Sequence, residues 1–350
     1  MKYSRLGSSG LKVSKVCLGT MTWGEQNTQD DANQQLDYAF EQGVNFIDTA
    51  EVYAVPPKPE TQGDTERMLG NWLIKHPVKR QDLVVASKVA GPGLSWIRNG
   101  DPISPAGIRA AIEGSLQRMQ TDYIDLYQLH WPNRTSPHFC KHWPASVDHT
   151  AVNVDKERDE FLDILRALDE AVKAGKIRYC GISDDTPWGL KEYLHLSDQH
   201  DLPRMVSVQN EFNLLHLKDS PYLLESCMLD DVAFLPWSPL GGGVLTGKYR
   251  NGEVPENTRW SMSQRNGLFR DTPAVHAAIE AYLTVAEKHG LSLAELSLAW
   301  LNHLPGVTST IIGATTMPQL KENIAAFDIE LSDEVLQDVL AVIKAFPSPF

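Results

Sequence analysis

Short runs of apolar and β-branched residues alternate along this chain with longer stretches whose apolar positions recur at helical spacing. The runs starting near Val16, Phe46, Leu83, Ile124, Tyr179, Met205, Ala233 and Thr310 predict strands. The helical period predicts helices over Ala32–Glu41, Glu66–Lys75, Ala106–Met119, Phe161–Lys173, Trp188–His200 and Pro221–Leu229. Ala274–Lys288, Leu293–Asn302 and Pro318–Ala326 continue the series. Repeated strand–helix units imply parallel strands, since the chain must cross back over a helix before pairing in the same direction. A closed (β/α)8 barrel, the TIM-barrel fold, is the favoured α/β arrangement; an open doubly wound sheet competes with it. No G-x-G-x-x-G follows a strand and no G-x-x-x-x-G-K-[ST] occurs, which counts against the open sheet.

Two stretches after strands are long: Trp131–Arg158 after the fourth and Gly241–Asp271 after the seventh. Both are rich in Pro, Asn, Gly and aromatic residues and read as loops at the C-terminal face of a barrel, where barrel catalysis sits. Tyr3–Ser14 reads as a hairpin ahead of the first barrel strand, and Asp333–Ala345 as an extra amphipathic helix before the tail Phe346–Phe350. The 350 residues are therefore expected to form one barrel domain, 1–350.

Charge narrows the partners. With a net charge of −13 and a pI near 5.3, the chain is a poor match for nucleic acid or an anionic membrane surface. Cys17, Cys140, Cys180 and Cys227 show no metal-binding or redox spacing and read as reduced thiols. With no apolar leader in MKYSRLGSSG and no membrane-length apolar run, the expected compartment is the cytoplasm. His138 and His142 flank Phe139–Lys141 at a spacing that fits no metal-ligand set, so no metal is expected. No sequence feature bears on oligomeric state.

The chemistry lies in position. Asp48 ends the second strand and Tyr53 follows on its loop; Lys88 ends the third strand and His130 the fourth. Each alone has an ordinary reading: a turn former, a packed ring, a solvated charge, a core histidine. Together, at the C-terminal ends of successive barrel strands, they face one mouth. A phenol titrates near 10, so it needs help to move protons at neutral pH. An ammonium from Lys88 would lower its pKa, Asp48 would keep that ammonium charged, and His130 would polarise a carbonyl. Such a site protonates an alkoxide while hydride reaches carbon, and no side chain donates hydride, so a cofactor is implied.

Gly43-Val44-Asn45-Phe46-Ile47-Asp48-Thr49-Ala50-Glu51-Val52-Tyr53, then Lys88, then His130, resembles the tetrad of the aldo-keto reductases. The resemblance runs from Leu18-Gly19-Thr20 to Glu322-Asn323 and is closest to the potassium-channel β-subunit-like branch. It implies a (β/α)8 barrel, NADPH rather than NADH as cofactor, Tyr53 as general acid, Lys88 and Asp48 as its tuning groups, and His130 as the carbonyl-orienting group. It also implies that Ser183, Asp184 and Gln209 meet the nicotinamide carboxamide and that Trp237 stacks on the ring. Asp184 departs from the family's usual Asn.

Gly241-Gly242-Gly243 lets backbone amides approach a pyrophosphate, and Lys248 and Arg259 bring positive charge to an acidic chain. A helix starting near Pro318, with Thr316 as N-cap, offers a phosphate site after the eighth strand. Gln319 stands where many family members have Arg. The resemblance adds Thr20, Asp48, Ser238, Pro239, Leu240, Gly313, Thr315, Gln319, Glu322 and Asn323 to the cofactor cradle. Trp23, Trp96, Trp131, Trp143 and Phe269 lie on loops that follow strands and are candidates to line the pocket of a small carbonyl substrate. Two other functions fit the same residues: a Schiff-base aldolase built on Lys88, and a redox-sensing subunit that binds NADPH with little turnover.

Overall fold

The computed structural model describes residues 1–76, 80–139, 141–262 and 270–350. Its centre is an all-parallel sheet of β3 (Val16–Gly19), β4 (Phe46–Asp48), β5 (Val84–Val89), β6 (Ile124–Leu129), β7 (Ile177–Ser183), β8 (Met205–Gln209), β9 (Ala233–Phe234) and β10 (Thr310–Ile312). Neighbours follow chain order, with β10 returning beside β3. The ring closes where Phe234 bridges Val307 and Ile311 N–H donates to Pro236 O at 2.9 Å. This is the (β/α)8 barrel, and the strands are buried almost throughout.

Helices α1 (Gln29–Glu41), α2 (Asp64–Lys75), α3 (Pro105–Met119), α4 (Val154–Lys173), α5 (Pro187–His200) and α6 (Tyr222–Leu229) each follow a strand and precede the next. α7 (Pro273–Lys288) and α8 (Leu293–His303) come before β10, and α9 (Met317–Ala325) and α10 (Asp333–Ala345) after it. Their starts are set by side-chain caps: Thr28, Ser104, Asn153, Thr186, Thr272, Ser292, Thr316 and Ser332 each accept a first-turn N–H. α4 therefore begins at Val154 rather than near Phe161. Its opening turns, Asp155 to Glu160, are polar, so apolar periodicity is silent there and the Asn153 cap decides.

Inside the ring, side chains two apart on a strand share a direction. Phe46, Val84, Ala86, Leu126 and Val206 fill the lower barrel, and the next inward positions above them are Asp48, Lys88 and Gln128. The hairpin of β1 (Tyr3–Arg5) and β2 (Lys12–Ser14) closes the floor by adding Leu6 and Val13 to that cluster. Between its strands, Gly7 has φ +51°, and a Cβ there would collide with the carbonyl of Val206 and lie 2.8 Å from Asp231 O and 2.9 Å from Ala233 N. Gly10 also has positive φ, +76°, but open space around it.

The two glycines separate backbone strain from collision. Gly10→Ala is expected to cost about 1 kcal/mol for its φ alone, whereas Gly7→Ala should cost roughly 2–4 kcal/mol because the barrel floor must also shift. Urea unfolding measures both, and equal losses would contradict the close approach of the hairpin.

Candidate active site

The strand ends gather the polar residues the sequence singles out. Lys88 Nζ lies 2.6 Å from Asp48 Oδ2, donates to Thr49 O at 2.8 Å and reaches Tyr53 Oη at 3.3 Å. Three acceptors meet the three protons of one ammonium, with Lys88 and Asp48 both buried. The other Asp48 oxygen accepts from Gln209 Nε2 at 2.8 Å and Gln128 Nε2 at 3.3 Å. Thr20 binds the Asp48 carbonyl from the neighbouring strand end, Oγ1 to O at 3.0 Å. The His130 ring stands edge-on to Tyr53, centroids 5.4 Å apart. Its Nδ1 is buried and, among the described residues, without a partner.

Electrostatics assigns protons to this group. Burial alone would lower Lys88, but Asp48 and Tyr53 outweigh it and hold the ammonium above its usual range. Burial, then Lys88, drives His130 well below the usual histidine value, so at pH 7 it is a neutral imidazole with one N–H to give. Tyr53 corrects the expectation of a lowered phenol. Lys88 does pull it down, yet burial pushes harder, with Asp48 and Asp184 adding to the upward shift. The phenol therefore holds its proton at neutral pH.

The loop carrying Tyr53 is pinned by residues the sequence reading left out. Glu51 is buried, accepts from Ala90 N–H at 2.5 Å, and pairs with Arg98 through both carboxylate oxygens, at 2.5 and 2.9 Å. Glu51 and Arg98 are ordinary surface types in sequence and lie on different loops, after β4 and after β5, so nothing local pairs them. Gln128 was readable as a polar break in Ile124–Leu129, at the inward position one level above Leu126.

On the far side of the mouth, Ser183 Oγ donates to Gln209 O at 2.7 Å, and Gln209 spends its amide N–H groups on Asp48 and Gln128. Trp237 Nε1 donates to Asp184 Oδ1 at 3.2 Å, and Phe139 stacks on the Trp237 ring at 6.1 Å. Ser238 takes a positive φ of 51° and its carbonyl accepts from Asn213; Pro239 is buried and Leu240 half-buried beside it. Gly241, Gly242 and Gly243 all have positive φ. A Cβ on Gly243 would sit 2.9 Å from Lys248 Nζ, and one on Gly242 3.6 Å from Arg259 Cδ. Arg259 donates to the Met21 sulfur at 3.1 Å, and among the described residues no carboxylate pairs with Lys248 or Arg259. Two half-buried cations beside three open glycines form a cradle short of an anion, which fits a dinucleotide's phosphates.

At the last strand, Thr316 caps α9, and Gln319 accepts from Thr315 through both its N–H (3.0 Å) and Oγ1 (3.1 Å). Asn323 binds Gly313 O at 3.1 Å, while Glu322 accepts from Ser292 on the α8 cap at 2.9 Å. The aromatic candidates scatter. Trp131 packs beside Tyr53, with its N–H on Pro92 O at 3.1 Å, and Trp96 is half-exposed. Trp143 is exposed and lines a cavity of about 900 Å³ with Phe212, His216, Trp300 and Leu340, none of them from the Lys88 group. Trp23 does not line an open mouth: it is fully buried, with its N–H on Gln35 Oε1 at 2.9 Å. Phe269 lies outside the described residues. Among the described residues, His289, Glu334 and Asp338 are near enough to share an ion, but Lys288 already pairs with both carboxylates, at 2.9 and 2.7 Å. No helix among the described residues is long and apolar enough to cross a membrane.

A model of the aldo/keto reductase family matches residues 15–344. The chain is 45% identical to the protein tas of Escherichia coli strain K12, with all of both chains covered. It is 30% identical to the uncharacterized oxidoreductase YrpG of Bacillus subtilis, covering all of this chain and 97% of the other. A probable voltage-gated potassium channel subunit beta of Oryza sativa is 32% identical, over 99% and 98% of the two chains.

The buried ion pair makes a stability prediction. Lys88→Met leaves the Asp48 carboxylate without its counter-charge, which should cost about 3–5 kcal/mol in urea unfolding. Adding Asp48→Asn removes the stranded charge and should recover much of that loss. A double variant no more stable than Lys88→Met would contradict the pairing.

Proposed function

The chain belongs to the aldo/keto reductase family of oxidoreductases, and on that premise we propose that it reduces small aldehydes or ketones to alcohols with NADPH. Residues 1–350 act as one barrel domain, with Tyr53 as the general acid. The observation that carries this reading is the Lys88 ammonium held between Asp48 and the Tyr53 oxygen.

The cofactor supplies hydride to the carbonyl carbon, which the protein cannot. The chain's own residues handle the oxygen. Tyr53 Oη accepts from Lys88, so its own hydrogen is free to point away toward a carbonyl. His130, neutral, gives a second hydrogen bond to that oxygen and adds no charge that would oppose the phenol's proton transfer. As negative charge grows on the oxygen, Tyr53 passes its proton across, and Lys88 steadies the phenolate left behind. Asp48 keeps Lys88 charged throughout. Lys248 and Arg259 are the available partners for the adenosine phosphates, which supports NADPH over NADH although Gln319 stands in place of Arg. The free thiols of Cys17, Cys180 and Cys227 suit a reducing compartment, the cytoplasm.

The aldolase reading finds less support. A Schiff-base lysine must lose its proton to attack a carbonyl, and Lys88 is shifted the other way with its three N–H groups engaged. The redox-sensing reading shares the cofactor and differs in turnover.

NADPH fluorescence titration, followed by turnover with 4-nitrobenzaldehyde, tests the proposal. Tyr53→Phe should bind NADPH as tightly as wild type and lose about 10²–10⁴-fold in turnover. Equal turnover would remove Tyr53 as the acid. Tight NADPH binding by wild type with no oxidation across a panel of aldehydes would favour the sensing subunit.

A further inference from the structure

Asp184 follows β7 with φ +52°, and its side chain is buried. Three other buried carboxylates of the mouth are well supplied with donors. Asp48 has Lys88, Gln128 and Gln209; Glu51 has Arg98 and the Ala90 N–H; Asp185 has Arg134 and the Thr186 N–H. Asp184 receives one hydrogen bond, from Trp237 Nε1 to Oδ1 at 3.2 Å, and among the described residues Oδ2 has no protein partner. His138 brings Nδ1 within 3.4 Å of Oδ1. That nitrogen, however, accepts from Lys218 Nζ at 3.0 Å, while Nε2 donates to Asp185 O at 3.2 Å. The ring proton is thus on Nε2, and Nδ1 has no hydrogen to give Asp184. A buried carboxylate gains no hydrogen bond from that side, so among the described residues its charge is left with the Trp237 N–H alone.

We propose that Asp184 stands at the mouth as a neutral carboxylic acid whose Oδ2–H donates to the carbonyl oxygen of a bound primary amide. On the reading in the previous subsection, which this inference rests on, that amide is the nicotinamide carboxamide. A carboxylate could only accept from such a group; the acid gives it a donor as well.

The charged and titratable groups facing Asp184 come from several elements. Lys218 and Asp219 lie on the loop after β8, His138 on the loop after β6, Lys88 on β5 and Tyr53 on the loop after β4. Burial pushes the Asp184 carboxyl up to about 8; Lys218 and the Trp237 N–H pull against it, Asp219 adds to the rise and Lys88 opposes it. His138 is itself held neutral, chiefly by burial and then by Lys218, so it brings no positive charge to offset this. A neutral Asp184 also spares Tyr53 a nearby negative charge. Asp219, pushed up to about 6, is by contrast mostly ionised at pH 7, with Asn210 donating to it at 2.8 Å.

Because only the protonated form offers the donor, NADPH affinity should fall as pH rises through about 8, approaching tenfold per pH unit above it. Asp184→Asn carries a permanent N–H donor, so its affinity should fall less steeply than that of wild type between pH 7 and 9.5. Fluorescence titration reads both. A second measurement needs no cofactor: the infrared difference between wild type and Asp184→Asn should contain a carboxylic-acid carbonyl band at pH 7 that disappears with a midpoint near 8. Absence of that band at pH 7 overturns the inference, as does a wild-type affinity that is flat with pH or an Asn variant that keeps the wild-type slope. If the band is present and neither protein binds NADPH at any pH, the cofactor reading fails and the donor role with it, while the protonation of Asp184 stands.

Discussion

An ammonium sealed inside a ring of strands is costly unless every proton and charge is matched. Lys88 is matched by the Asp48 carboxylate, the Thr49 carbonyl and the Tyr53 oxygen, and much of the mouth follows from that requirement. Asp48 must stay ionised, so Gln128 and Gln209 are drawn to its second oxygen. The Tyr53 loop must approach the Lys88 strand end, so Glu51, just before Tyr53, is fastened to Arg98 and the Ala90 amide. The contact that reaches the Tyr53 oxygen is thus a buried ion pair.

The barrel was legible in the chain because a parallel strand buried on both faces is a short apolar run, and the helix between two such strands carries a 3.6-residue period. Helix starts were less so. Where α4 opens with polar turns, its beginning is written in Asn153 rather than in periodicity. The tetrad was legible because each member ends a strand or follows one, and barrel closure turns that sequence position into proximity. Glu51–Arg98 and the Asp184–His138–Lys218 group were not. Their partners come from different loops, and nothing local in sequence encodes which loops meet. Trp23 failed as a pocket residue for a related reason: a post-strand position says which end of the barrel a residue occupies, not which way its ring turns, and Gln35 on α1 draws the indole inward.

Charge is unevenly distributed around the mouth. On the Lys88 side every buried charge has its counterpart, which fixes protons in place. Around Gly241–Gly243 two cations, Lys248 and Arg259, have none among the described residues, and that imbalance is what an incoming anion relieves. On the proposed function, the proton-transfer groups are set in advance, and a bound phosphate would complete the rest.

The most direct test is the charge on Lys88 itself. NMR titration of ¹³Cε-labelled lysine, with Lys88 assigned by its absence from Lys88→Met, reports that group alone. Because its folded value is raised above the ordinary 10.5, the Lys88 signal should keep its protonated position as the pH passes 10.5. A Lys88 resonance that loses its proton at or below 10.5 would contradict the pairing on which the site is built.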